Sequence, residues 1–155
     1  LLGLSRFNFD YSRKLLTSLS QDYPDSLQIL ESNYHLTKLQ PDTANFWPLA
    51  QIRIEYSLKT QNYSDMLSIF QDIQKAAPKR QAASKLISPD HYLKILVVFV
   101  DHGDLEKAEH AFMFLELAGE PNLVKDACKL LIDAFSKKRN IKKQAHYQAL
   151  LDNYF

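Results

Sequence analysis

The sequence predicts an all-α protein, a right-handed α-solenoid of about four antiparallel helical hairpins, and three observations carry that expectation. A short motif recurs along the chain, turn-forming residues are scarce, and the apolar positions keep a helical period. Three Gly and six Pro in 155 residues are too few for an all-β fold, which needs a turn every ~8–12 positions. Hydrophobic residues at 46% and charged residues at 24% are the proportions of a chain that buries a core. Residues 1–155 are expected to form a single helical-repeat domain. From the opening Leu1-Leu2-Gly3, without Met, a fragment of a longer chain or a processed product is expected.

The expected hairpins span about 6–39, 43–77, 89–118 and 121–154, punctuated by Pro41-Asp42, Pro78 and Gly119-Glu120-Pro121, with an insertion at 79–87. Ser20-Gln21-Asp22-Tyr23 through Leu30 aligns without gaps on Thr60-Gln61-Asn62-Tyr63 through Phe70, 40 residues on. A third copy, Gly103-Asp104-Leu105-Glu106-Lys107-Ala108 to Phe112, follows 42 residues later, and Asn140-Ile141-Lys142-Lys143 opens a weaker fourth. Asp22, Asn62 and Asp104 stand where an N-cap side chain accepts amide protons of the first helical turn. Gly103 suits the left-handed position that closes the preceding helix. In the third copy Leu105, Ala108, Phe112 and Leu115 share one helical face. Ser88-Pro89-Asp90 starts the first helix of that hairpin, with a capping Ser, Pro at the first helical position and an acid facing the dipole. Tyr92, Ile95, Leu96, Phe99 and Val100 then hold the period. Tyr23, Tyr63, Phe70, Phe99 and Phe112 read as core. Tyr147, Tyr154 and Phe155 read as an apolar C-terminal face. A single hairpin cannot cover its own apolar surface, so repeats stack, and a stack offers an extended groove to a ligand.

The third unit, from Tyr92 through Gly103-Asp104-Leu105-Glu106-Lys107-Ala108 and Phe112 to Ala118-Gly119-Glu120-Pro121-Asn122, resembles a pentatricopeptide repeat. The tetratricopeptide pattern shares the Gly, Ala and Phe positions. The Gly119-Glu120-Pro121-Asn122 ending and the large Leu96 tilt the likeness toward the pentatricopeptide family. The resemblance implies an organellar, commonly mitochondrial (matrix), RNA-associated protein that binds without catalysing. In that family an early polar residue of the first helix and the last residue of the motif together read one base. Asn122 matches the last position, but the early one falls on Leu93, which cannot hydrogen-bond a base edge. The spacings of 40 and 42 also exceed the family's period of about 35.

Chemistry beyond binding finds no footing. His35, His91, His102, His110 and His146 are scattered without metal-ligand spacing, and no cofactor is expected. With Gly3, Gly103 and Gly119 the only glycines, there is no phosphate loop or nucleophile elbow for a small-molecule substrate. Glu106 and Glu109 read as a solvated acidic face. Cys128, the lone cysteine, reads as a buried small hydrophobe, and the longest apolar run, Ile95 to Val100, is far short of the ~20 residues that span a membrane.

The formal net charge is +1, so a nucleic acid must meet a local patch. Between Leu123 and Lys143 seven cations face two acids, Asp126 and Asp133. The expected RNA contacts are Lys94, Asn122, Lys125, Lys129, Lys137, Lys138, Arg139, Lys142 and Lys143, with Asn122, Lys125 and Lys129 on one helical face. RNA, single-stranded or ribosomal, is one expected partner. The alternative is a protein subunit held by a tetratricopeptide-like scaffold.

Overall fold

A computed structural model describes residues 9–39, 46–76 and 87–154, and those residues are all-helical, as the sequence predicts. They form two compact units, residues 1–71 and 72–155. Pro41-Asp42, Pro78 and all of the insertion at 79–87 except the buried Ile87 lie outside the described residues.

In the first unit lie α1 (Phe9–Asp22), α2 (Leu27–Leu39), α3 (Phe46–Thr60) and the start of α4 (Tyr63–Ala76). Helix α2 packs against both α1 and α3. Leu16, Leu30, Leu36, Ile54, Met66 and Phe70 are buried in this unit. Tyr34 stacks on Tyr56 with ring centroids 4.3 Å apart, and its hydroxyl donates to Asp65 at 2.9 Å. Two expectations fail at the first copy of the motif. Asp22 is the last residue of α1, not a cap, and Tyr23 is 62% exposed rather than core. Pro24 is the cause. It disfavours helical backbone at the residue before it, so the chain turns through Tyr23-Pro24-Asp25. The helix restarts at Ser26, whose Oγ accepts from the Ile29 amide at 3.4 Å.

The second unit contains α5 (Pro89–Asp101), α6 (Leu105–Ala118), α7 (Pro121–Lys137) and α8 (Ile141–Tyr154). Helix α5 packs on α6 and α7 on α8, while α7 also packs on both α5 and α6. Its core draws Tyr92, Ile95, Leu96 and Phe99 from α5, and Ala108, Ala111, Phe112, Phe114 and Leu115 from α6. Helix α7 adds Val124, Ala127, Cys128, Leu131, Ala134 and Phe135. Burial of Tyr92 against Phe114, stacked at 5.3 Å, raises its phenol above the ordinary tyrosine value. Ser88 occupies the N-cap of α5, yet its side chain makes no capping bond; its carbonyl takes the His91 and Tyr92 amides instead.

Three turns share one geometry. Gln61, Gly103 and Arg139 all have left-handed backbones, with φ of 53°, 74° and 56°. The next residue in each turn returns its amide to a carbonyl five residues back: Asn62 to Ser57, Asp104 to Phe99 and Asn140 to Phe135, at 3.0, 2.9 and 2.9 Å. Its side chain then caps the following helix. Asn62, Asp104 and Asn140 accept from the amides of Asp65, Lys107 and Lys143 at 3.1, 3.3 and 3.1 Å. This pairing of a left-handed closure with an Asx cap satisfies orphan groups of both helices within four residues.

Candidate functional site

The expected contact residues fall on two surfaces and one outlier. Asn122 and Lys129 are exposed and Lys125 is half-buried, on the side of α7 opposite Ala127, Leu131 and Ala134. Lys94 stands apart on α5, whose exposed residues are Asp90, Lys94 and Asp101. That face is net acidic, so Lys94 does not extend a basic patch.

The turn from α7 into α8 brings the remaining five cations together, though two of them are already paired. Lys137 Nζ lies 3.0 Å from Asp133 Oδ2, an exposed pair one helical turn apart. Lys143 Nζ donates to Glu109 Oε1 at 2.9 Å. Among the described residues Lys129, Lys138, Arg139 and Lys142 are exposed and carry no ion pair. Lys138 Nζ lies 3.9 Å from where a side chain on Gly103 would begin, so the ammonium lies alongside the α5–α6 turn. Ile141, at the centre of the cluster, is 77% exposed.

Glu109 is not the solvated acid its neighbourhood in the sequence suggests. Its side chain is 19% exposed, and Oε1 accepts from both Lys143 and the Tyr147 hydroxyl, the latter at 2.7 Å. Tyr147, expected on an apolar outer face, is instead buried. It stacks on Phe135 at 5.9 Å and meets Phe112 edge-on at 5.2 Å. Burial first, and then the hydrogen bond and charge of Glu109, hold its phenol above the ordinary value. The side chains of Tyr154 and Phe155 lie outside the described residues. Nothing in spacing or composition marked this clamp, because Glu109 and Tyr147 are 38 residues apart. A cavity of about 450 Å³ opens beside it, lined by His110, Met113, Glu116, His146 and Leu150 among others. Gln74 Nε2 reaches His110 Nδ1 at 3.4 Å.

No family model, curated protein or solved structure matches the chain. Among the described residues no three His, Cys, Asp or Glu side chains gather in a metal-binding group, and no helix is long and apolar enough to cross a membrane.

Cys128 is buried as the sequence predicts. Its thiol is pushed up from 9 to about 11, by burial first and the Glu116 carboxylate second. The unfolded chain then loses this proton at lower pH than the folded one. The resulting stabilisation is intact below pH 9 and declines as pH rises toward about 11. The slope is about 1.4 kcal/mol per pH unit. Urea midpoints of wild type should fall from pH 9 upward, with Tyr92 and Tyr147 adding to the decline as pH nears the ordinary tyrosine value. Cys128→Ala should flatten the early part of that decline. An equal decline in the variant would assign it to another group.

Proposed function

We propose that the chain is a non-catalytic, pentatricopeptide-like helical-repeat protein, a right-handed α-solenoid of about four hairpins, that binds RNA. The resemblance implies a role in organellar, commonly mitochondrial, RNA metabolism, translation or ribonucleoprotein assembly. One observation carries the reading: among the described residues Lys138, Arg139 and Lys142 stand exposed and without an ion pair at the α7–α8 turn, and Lys129 likewise on the α7 face, while the chain as a whole is almost neutral. Uncommitted cations concentrated in this way suit a phosphate backbone. The repeated closure-and-cap turn supports the repeat architecture, with 36 residues separating Asp104 from Asn140. Half-buried Leu93 on α5 supports binding without base-by-base readout.

A specific observation favours the second reading, a tetratricopeptide-like scaffold for a protein subunit. Met113 and Leu117 on α6 are 38% and 42% exposed, and Met113 borders the cavity between α6 and α8. A salt titration separates the two. RNA held through phosphates should lose affinity with a log–log slope of about −0.7 per contact for single strands. Absence of RNA binding, with a protein partner retained by the full-length chain at high salt, would replace RNA with the scaffold.

A further inference from the structure

The α7–α8 turn departs from its two counterparts in the exposure of the residue that follows the cap. The residue after the cap is Tyr63 in one turn and Leu105 in another, and both are half-buried. Its counterpart in the last turn, Ile141, is 77% exposed, the most exposed large hydrophobic among the described residues. Arg139 holds a left-handed backbone at φ 56°, where the third copy uses Gly103. The second copy holds Gln61 in the same conformation at φ 53°, so that backbone is common to the turns and the exposure of Ile141 is what sets this one apart. In sequence the apolar knob is flanked by Arg139 and Lys142, with Lys138 nearby, and all three cations are exposed and without an ion pair among the described residues.

Resting on the RNA reading above, we infer that single-stranded RNA crosses this turn, with its phosphates on Lys138, Arg139 and Lys142 and one unstacked base against Ile141. The contact lies at the turn edge rather than on the α7 face that carries Asn122, Lys125 and Lys129. Phosphate contacts hold any sequence alike, and an apolar side chain accepts the face of any base. The preference is therefore for unpaired strands rather than for a sequence, because a duplex keeps its bases stacked inside. An isoleucine among lysines also fits an anionic bilayer, but a single side chain buries too little surface for stable anchoring.

The test uses the full chain and a labelled oligouridine titrated over a range of salt concentrations. The Lys138→Ala/Arg139→Ala/Lys142→Ala variant should flatten the log–log slope by about 2, the value for three lost phosphate contacts. Ile141→Ser should weaken binding about fivefold with the slope unchanged, the mark of a lost uncharged contact. These substitutions lie on exposed side chains, and circular dichroism should show the helices intact. A loss confined to Lys125→Ala/Lys129→Ala would overturn the turn-edge site and leave RNA binding standing. Failure of the wild type to bind oligouridine at any salt would overturn both. Binding to phosphatidylserine vesicles alone, abolished by Ile141→Ser, would make the turn a membrane contact instead.

Discussion

Phe99→Ala should cost about 3–5 kcal/mol, the range for removing a fully buried phenyl ring from a packed core. Phe99 is completely buried on α5, and its carbonyl accepts the Asp104 amide at 2.9 Å in the turn that starts α6. The ring and the turn are therefore linked: the truncation empties the core at the point where α5 hands the chain to α6. A loss of that size is a large share of the 5–15 kcal/mol that holds a typical domain together, so the folded fraction should fall visibly at physiological temperature. Met113→Ala, on the exposed side of α6, should stay within about 0.5 kcal/mol of wild type. Urea unfolding followed by far-ultraviolet circular dichroism gives both numbers. A Phe99→Ala cost below about 1 kcal/mol would mean that the ring is not held in a close-packed interior.

Where local rules decide the structure, the sequence is readable. The α5 stripe of Tyr92, Ile95, Leu96 and Phe99 is buried as its period predicts, and so are Ala108, Phe112 and Leu115 on α6. Asn62 and Asp104 cap helices as their positions predict. The same rules fail at Asp22 because one substitution in the copy, Pro24, outweighs the likeness on either side of it. Tyr147 failed for a different reason. Its adjacent residues, His146 and Gln148, are polar, and the partners that bury it, Phe112 and Phe135, sit on other helices. The cations show the same divide. Charge counting finds the cluster from Lys137 to Lys143, but only packing reveals that Lys143 is committed to Glu109 while Lys138, Arg139 and Lys142 are not. Nor does alignment predict the exposure of Ile141, since its counterparts Tyr63 and Leu105 are half-buried.

The second large effect belongs to Glu109, which ties α6 to α8 through one carboxylate oxygen. In Glu109→Ala the Tyr147 hydroxyl loses its acceptor while the ring stays buried between Phe112 and Phe135. Leaving a buried donor unsatisfied costs about 1–3 kcal/mol, and the lost Lys143 bond adds little because the lysine side chain is 46% exposed and screened by solvent. Tyr147→Phe removes donor and requirement together: it keeps the ring stacking and leaves Glu109 paired with Lys143, so it should cost less than Glu109→Ala. Lys143→Ala should cost least of the three. The double variant Glu109→Ala/Tyr147→Phe should then be more stable than Glu109→Ala alone, since no orphaned hydroxyl remains. That ordering separates a hydrogen-bond clamp from mere proximity. Additive costs in the double variant, measured by urea midpoints at neutral pH, would show that the Tyr147 hydroxyl does not depend on Glu109.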